Sequence, residues 1–344
     1  MAISNWNAGI IRPVAVAPTG PFEDGAAPGV WTIDQATFWI QQGLWPTAGR
    51  AARGVFGGGS GSSVMDYVTI SSAGDATDFG DLTRSNYNNT SACASSTRGL
   101  FGGSQDGGGF YNTIDYITIA TAGNASDFGD LSAPRAGIGG CSNSTRGLFM
   151  GGITTGSVGV NIIEYVTIAT TGNAIDFGDR TITAEFNGAC SSSTRGVAAG
   201  GGGGTASNVM DFVTIATTGN ATDFGDLLLA ARQFGGCSSS TRGLFGGGST
   251  NASSYQNVIQ YITIASAGNA IDFGDLTVRV QLNASCSSNI TGLFAGGLES
   301  VSETTTNIIS FVTIASTGNA TDFGDLTAAR QGLAGCSNAN GGLS

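Results

Sequence analysis

The chain has 344 residues and a net charge of −11 at pH 7, and all 13 of its basic residues are arginine. Nucleic acids and anionic membranes are bound through basic patches, so this charge argues against both as partners. Without histidine or lysine the chain has no Ser-His-Asp triad, no histidine-ligated metal and no Schiff base. The composition therefore predicts a protein that is not an enzyme and holds no cofactor.

The first fifty residues differ in composition from the rest, because they contain all four tryptophans of the chain. A short helix is predicted over 32–43, with Thr32 as its N-cap, Gln35 at the capping-box position and Gly43 as its stop. So short a segment cannot bury a core of its own, and it docks either on another chain or on the rest of this one. Tryptophan is enriched at interface hot spots, so residues 1–50 are predicted to be an anchor segment. Its candidate docking residues are Trp6, Trp31, Phe38, Trp39 and Trp45.

The rest of the chain, residues 51–344, repeats itself. The tetrapeptide Asp-Phe-Gly-Asp occurs six times, with its Phe at positions 79, 128, 177, 224, 273 and 323. A run of β-branched and aromatic residues precedes each copy, as in IEYVTI from Ile163, and predicts a strand,. Each copy is followed by one cysteine and then, in most repeats, by Arg-Gly-Leu-Phe-Gly-Gly or a near copy. Four short strands in roughly 50 residues are typical of one β-propeller blade.

The two ends of the repeat region complement each other. Residues 53–59 begin the array at a second strand, and residues 333–337 supply a cysteine-bearing first strand with no full module after it. Together they complete one blade from both chain ends, which leaves no free sheet edge between the first and last blades. The sequence therefore predicts an all-β fold, a six-bladed β-propeller whose N- and C-terminal strands share one blade, preceded by the anchor segment with its one helix.

The repeats resemble the kelch family. A kelch repeat has an arginine before its first strand, a second strand ending in Gly-Gly, a tyrosine in the third strand and a tryptophan in the fourth. These positions are filled here by Arg135, Arg232 or Arg330, by pairs such as Gly102-Gly103, by Tyr116 and by Phe128. Phenylalanine replaces the kelch tryptophan, and the third repeat has Ala184-Glu185 near the arginine position. The resemblance covers residues 51–344 and implies the propeller architecture rather than an activity.

One loop in each module absorbs nearly all of the length variation. The distance from the second-strand Phe to the third-strand aromatic ranges from 11 residues (56 to 67) to 17 residues (294 to 311). Strand alternation places these loops on the same face as the connections from Asp-Phe-Gly-Asp to the cysteine. Unlike loops on a rigid ring form a recognition surface, although drift of solvent-exposed loops explains any single one equally well. The candidate recognition residues are Ser104, Gln105, Asp106, Thr154, Thr155, Thr250, Asn251, Tyr255, Glu299 and Glu303.

Two repeated groups could carry chemistry, and both have structural interpretations. The six cysteines are spaced too far apart for disulfides and are interpreted as small buried hydrophobic residues, with a soft-metal site as the alternative. The carboxylates of Asp-Phe-Gly-Asp, such as Asp127 and Asp130, are interpreted as tight-turn residues, with cation binding as the alternative,. Arginines such as those before Gly99 and Gly147 are predicted to bridge neighbouring blades.

The segment 26–46, AAPGVWTIDQ…GLWP, resembles sequences in structural proteins of tailed bacteriophages, notably phages of cyanobacteria. This resemblance implies a virion surface or tail-associated structural protein. Residues 1–50 would dock on other virion proteins, and the propeller loop face would bind a host surface glycan or protein. The start of the chain lacks the features of a signal peptide, so synthesis in the host cytoplasm without membrane insertion is expected. The alternatives are a passive capsid or tail decoration protein and, in another class, a propeller-based glycan-active enzyme.

Overall fold

The computed structural model describes residues 52–84, 88–202, 205–251, 254–300 and 302–343. The predicted anchor, its helix and its five aromatic docking residues lie outside these residues and stay predictions. In the part of the chain described, no helix is long and apolar enough to cross a membrane.

The described residues form one antiparallel sheet per blade, six in all, which together make a six-bladed β-propeller, and a separate two-stranded sheet in the loop of blade 3. Blade 1 contains β1 (Arg53–Gly57), β2 (Val64–Thr69) and β3 (Thr77–Asp81). Blade 2 contains β4 (Ser91–Ala94), β5 (Arg98–Asp106), β6 (Gly109–Thr118) and β7 (Ser126–Asp130). Blade 3 contains β8 (Gly139–Ser142), β9 (Arg146–Met150), β10 (Ile153–Thr154), β11 (Val158–Gly159), β12 (Ile162–Thr167) and β13 (Ile175–Asp179).

The second half of the ring follows the same plan. Blade 4 contains β14 (Gly188–Ser191), β15 (Arg195–Ala199), β16 (Ser207–Thr214) and β17 (Thr222–Ala231). Blade 5 contains β18 (Gly235–Ser238), β19 (Arg242–Gly246), β20 (Ser249–Asn251), β21 (Ser254–Thr263) and β22 (Ile271–Gln281). Blade 6 contains β23 (Ala284–Ser287), β24 (Thr291–Ala295), β25 (Leu298–Glu299), β26 (Ile308–Thr313) and β27 (Thr321–Asp325). Strand β28 (Ala334–Ser337) and a 3₁₀ turn at Gly341–Leu343 follow.

The ring is closed by the two ends of the repeat region. Strand β28 pairs antiparallel with β1, with Cys336 opposite Val55, so blade 1 has the order β28-β1-β2-β3. The innermost strands β4, β8, β14, β18, β23 and β28 each contact the next one around the axis. The predicted fold, with terminal strands sharing one blade, is therefore confirmed.

The hydrophobic core lies between the blades. One cluster joins Val55, Met65 and Phe79 of blade 1 to Phe101 and Ile117 of blade 2. A β-bulge at Phe79 turns its ring toward Tyr67 in an edge-to-face pair with centroids 6.0 Å apart, and every blade has the equivalent pair. Bulges redirect a side chain in this way. Because each aromatic side chain buries a large apolar area, these contacts contribute to the stability of the ring.

The arginine at the start of the second strand connects adjacent blades, as predicted. The Arg98 guanidinium lies 4.6 Å from the centroid of the Tyr116 ring. It also donates hydrogen bonds to the Ile168 and Ala169 carbonyls of blade 3, at 3.0 and 2.9 Å. Arg53, Arg146, Arg195 and Arg242 make the corresponding contacts in their blades.

The six cysteines are free and buried, which confirms their interpretation as small hydrophobic residues. Each thiol packs against the second residue of the second strand of the next blade, which is a glycine in every blade. A Cβ atom added to Gly147 would lie 2.5 Å from the Cys93 sulfur. Burial raises the pKa of the Cys141 thiol to about 12, so the thiolate that would bind a soft metal is disfavoured,.

The turn interpretation of Asp-Phe-Gly-Asp is wrong, because the motif forms the outermost strand of each blade. The Gly123 N–H donates to the Phe79 carbonyl at 2.6 Å, and the Asp81 N–H donates to the Asn124 side chain at 3.1 Å. A Cβ atom on Gly80 would lie 2.6 Å from the Gly123 carbonyl oxygen. The motif therefore bonds each blade to the Gly-Asn turn of the next, or to Gly74-Asp75 where the next blade is blade 1. Among the described residues, no group of three or more His, Cys, Asp or Glu side chains could hold a metal ion.

Buried ion pairs hold the connections between blades, and backbone pairing corrects the assignment of Arg232 in the kelch resemblance. Arg135 pairs with Glu164, and Arg330 pairs with Asp66 at 2.5 Å. The Arg232 backbone pairs with Ser249 as the Ala136 backbone pairs with Ile153, so Arg232 is equivalent to Ala136. It therefore lies one residue after the position that Arg135 occupies in its own repeat. Arg232 is therefore not at the arginine position of the repeat.

Candidate binding face and axial funnel

The variable loops and the connections that lead to the cysteine strands lie together on one face of the ring, called here the loop face. Backbone pairs join the two sets directly, between Ala136 and Ile153 and between Arg232 and Ser249. The placement expected from strand alternation is thereby confirmed.

In blade 2 the variable loop is a long hairpin that extends β5 and β6. Ser104 is only 2% exposed, so its side chain is not available to a partner. Gln105 pairs with Phe110, and its N–H donates to the Asn88 carbonyl at 3.0 Å. The Asp106 carboxylate accepts hydrogen bonds from the Gly108 N–H at 2.6 Å and from the Tyr111 hydroxyl at 2.9 Å. These hydrogen bonds lower the pKa of Asp106 and hold the carboxylate at the hairpin tip,.

The other predicted recognition residues lie in three further blades. In blade 3, the Thr154 hydroxyl donates to the Val158 carbonyl at 3.2 Å, whereas Thr155 is exposed. In blade 5, Thr250, Asn251 and Tyr255 belong to the β20–β21 hairpin, with Tyr255 opposite Ser249.

Blade 6 adds a contact between blades. Glu299 pairs with Val280 where β25 joins β22 of blade 5, and its carboxylate accepts a hydrogen bond from Ser302 at 2.9 Å. Glu303 is exposed and has a left-handed backbone, with φ of 51°. The structure thus distributes the predicted residues over four separate blade loops.

The centre of the loop face contains a ring of residues that sequence reasoning missed. In each blade, the fourth residue before the cysteine has a positive φ between 53° and 68°. These rim residues are Asn89, Gly137, Phe186, Gln233, Leu282 and Gly332. Each rim N–H donates to the rim carbonyl of the preceding blade at 2.6–2.8 Å, so six hydrogen bonds form a closed circle around the axis.

Four of the six rim residues carry side chains despite the left-handed backbone. This conformation costs a residue with a Cβ atom about 1–2 kcal/mol and is an outlier for bulky residues such as Phe186 and Leu282. The two glycines make room for neighbours, because a Cβ on Gly137 would lie 2.8 Å from the Phe186 ring. A Cβ on Gly332 would likewise lie 2.8 Å from the Asn89 side chain. The rim positions have a constant spacing to the cysteine, but the residue type at them does not repeat, so the sequence did not single them out.

The rim encloses a cavity of about 100 Å³, called here the funnel. None of its lining residues is charged. Beneath the rim, several fully buried polar atoms have no hydrogen-bond partner within the described residues, namely the Ser91 Oγ, both amide atoms of Asn187 and the Asn283 Oδ1. The Asn187 amide lies against Gly139 and Gly151 and the Asn283 amide against Gly246 and Gly247, so both amides lie between blades rather than in the funnel. Buried polar atoms without partners are uncommon and costly in folded proteins.

Below the funnel the innermost strands close tightly around the axis. A Cβ on Gly140 would come too close to the Ala92 carbonyl, and one on Gly335 would lie 2.5 Å from the Ser285 carbonyl. A belt of serine hydroxyls follows, each donating to the neighbouring blade, as from Ser238 to the Ser191 carbonyl at 2.7 Å. Ala94 interrupts this belt, and the Asn340 side chain donates to the Ser337 carbonyl instead, at 3.1 Å.

Comparisons with known proteins support the fold and nothing finer. No protein-family model matches this sequence, and no curated protein matches it. The structure matches 454 chains of solved proteins. One of them is YjhT, with a TM-score of 0.59 and 8% sequence identity over 73% of this chain and 87% of YjhT. At this identity the likeness concerns the fold alone.

Proposed function

We propose that the protein is a non-enzymatic recognition protein of a bacteriophage particle, which contacts the host surface through its loop face. The main support is the contrast between the two faces. The opposite face carries nearly the same turns in every blade, such as TAGNA at 121–125 and TTGNA at 217–221. The loop face carries a different hairpin in each blade, on a ring held rigid by contacts between the blades.

The assignment to a phage particle rests on the resemblance of residues 26–46 to phage structural proteins. Residues 1–50 would then dock on other virion proteins, so that many copies on one particle convert weak single contacts into strong attachment. The finer kelch relationship also belongs to this proposal. It is supported by the Tyr116–Phe128 pair and by the buried Arg135 and Arg330.

Binding rather than catalysis is supported by the chemistry of the funnel. Its lining contains no carboxylate, histidine or lysine, so no acid–base pair lies there,. A passive decoration role would leave the difference between the two faces without a function.

The test is binding of the fluorescently labelled full-length chain to intact cyanobacterial cells. One bulky substitution is placed in each of three loops, namely Thr155→Trp, Thr250→Trp and Glu303→Trp. At least one should weaken binding tenfold or more by blocking close approach. The matched control is Thr217→Trp on the opposite face, where Thr217 is exposed.

Two results would contradict the proposal. Absence of binding to any cyanobacterial strain would favour passive decoration. Release of sugar from the cell surface by the purified chain would show an enzyme.

A further inference from the structure

We propose that the funnel binds one neutral sugar residue at the end of a surface glycan, with the Phe186 ring packing against the sugar. The inference rests on the proposed recognition function and names the chemistry of its central site. It is carried by the uncharged lining of the funnel, by the amides of its rim and by the left-handed backbone of the rim residues.

The absence of charge in the lining selects a neutral ligand. Placing an acidic sugar in a cavity without a cation would leave a partly buried charge unpaired, which is costly. The nearest charged residues along the chain, Glu185 and Arg232, directly precede rim residues but do not line the cavity. An uncharged ligand is therefore the one that this site accepts.

The polar side chains of the rim favour a ligand rich in hydroxyl groups. Asn89 and Gln233 line the funnel and are half-buried, so their amides are within reach of a ligand. They offer amide N–H₂ groups and amide oxygens. A sugar hydroxyl both donates and accepts, so it can bond to either amide, whereas a hydrocarbon bonds to neither.

The rim adds one aromatic and one aliphatic surface beside two amides. Phe186 and Leu282 are half-buried at the mouth, with Gln233 between them and Asn89 between the two rim glycines. The Gln233 Oε1 accepts a hydrogen bond from the Ser249 hydroxyl at 3.1 Å, which fixes the amide at the mouth. The negative face of an aromatic ring attracts the polarised C–H groups of a pyranose.

The size of the funnel limits the ligand to a single residue. A volume of about 100 Å³ is several times what one water molecule requires, roughly 10–15 Å³,. The tight closure of the inner strands at Gly140 and Gly335 leaves no path for a polymer to pass deeper. A terminal sugar entering from the loop face matches this shape.

The strain of the rim indicates that the side chains serve a purpose besides folding. Glycine occupies two of the six rim positions, so the backbone circle does not require a side chain there. Strained residues that persist around a cavity are typical of binding sites. Phe186, at φ of 56°, is therefore the residue that the experiment should change.

The experiment is saturation-transfer NMR on the full-length chain. The neutral probes are the methyl glycosides of glucose, galactose, mannose, fucose and N-acetylglucosamine. The charged probes are glucuronic acid and N-acetylneuraminic acid. At least one neutral glycoside should bind, neither acid should, and Phe186→Gly should lower the affinity at least tenfold. Because glycine adopts a positive φ without the steric cost of a Cβ atom, this variant should keep a thermal unfolding midpoint at or above that of the parent.

Two further variants control the result. Ser157→Gly removes backbone strain at a left-handed residue, at φ of 61°, that does not line the cavity. It should leave sugar binding unchanged. If Phe186→Gly unfolds, Leu282→Gly provides the same test at a second rim position. The inference is wrong if no neutral glycoside binds, if an acid binds as tightly, or if the folded rim variants keep full affinity. Cell binding without glycoside binding would overturn the funnel site alone, and glycoside binding without cell binding would overturn host recognition alone.

Discussion

At the scale of single residues, neighbouring blades explain several glycines and cysteines together. The cysteine of one blade fills the space beside the glycine that is the second residue of the second strand in the next blade. The pairs are Cys93 with Gly147, Cys141 with Gly196, Cys190 with Gly243, Cys237 with Gly292, Cys286 with Gly54 and Cys336 with Gly99. Because the contact joins blades, a change on one side requires a change on the other.

This coupling predicts the result of a double-mutant cycle. Gly147→Ala should lower the free energy of unfolding by about 1–3 kcal/mol, since its Cβ would lie 2.5 Å from the Cys93 sulfur,. In a Cys93→Ala background the same substitution should cost less than half as much, because the sulfur is gone. Denaturant titration measures both.

A matched control is Gly107→Ala, where an added Cβ meets no atom within 4 Å. It should change the free energy of unfolding by no more than about 0.5 kcal/mol. Equal costs for Gly147→Ala in both backgrounds would show that the sulfur is not what excludes a side chain.

At the scale of strands, the innermost strands bury all six thiols near the axis. Burial raises the pKa of Cys141, Cys237 and Cys336 from the ordinary 9.0 to about 12. The folded state therefore holds these protons more tightly than the unfolded chain. The resulting stabilisation is complete below about pH 9 and is lost as the pH rises toward about 12,.

Unfolding at alkaline pH tests whether the protonated thiols stabilise the folded state. The free energy of unfolding should be nearly constant from pH 7 to 8 and fall progressively above pH 9, where a pKa difference of one corresponds to about 1.4 kcal/mol per thiol,. Cys141→Ala should reduce the slope above pH 9 by about one proton,. An unchanged slope in this variant would mean that other groups cause the alkaline loss.

At the scale of the whole molecule, the ring depends on β28, which supplies the inner strand of blade 1. Deleting residues 333–344 should expose Val55 and Phe56 and remove the cooperative unfolding transition, because blades 1 and 6 would lose their shared packing. The control deletion of 341–344 removes the 3₁₀ turn but keeps Asn340 and β28, and it should retain cooperativity. Calorimetry distinguishes the two, and a cooperative transition in the longer deletion would contradict closure by β28.

Much of the architecture could be predicted from the sequence because it is written in local patterns and chain order. The β-branched runs such as that from Ile163 indicated strands, the recurrence of Asp-Phe-Gly-Asp gave the number of blades, and the incomplete ends near Val55 and Cys336 indicated closure. Lengths between repeated residues located the variable loops. None of these inferences needs to know which atoms touch.

The rest was decided only by tertiary structure, because it depends on contacts between residues about one blade apart along the chain. Asp-Phe-Gly-Asp looks like turn chemistry until its glycine is seen against the Gly123 carbonyl of the next blade. Arg232 looks like Arg135 until backbone pairing shows that it lies one residue later. The residue types of the rim do not indicate its left-handed backbone, because Phe186 and Leu282 are held in that conformation by a circle of hydrogen bonds that exists only when six blades meet.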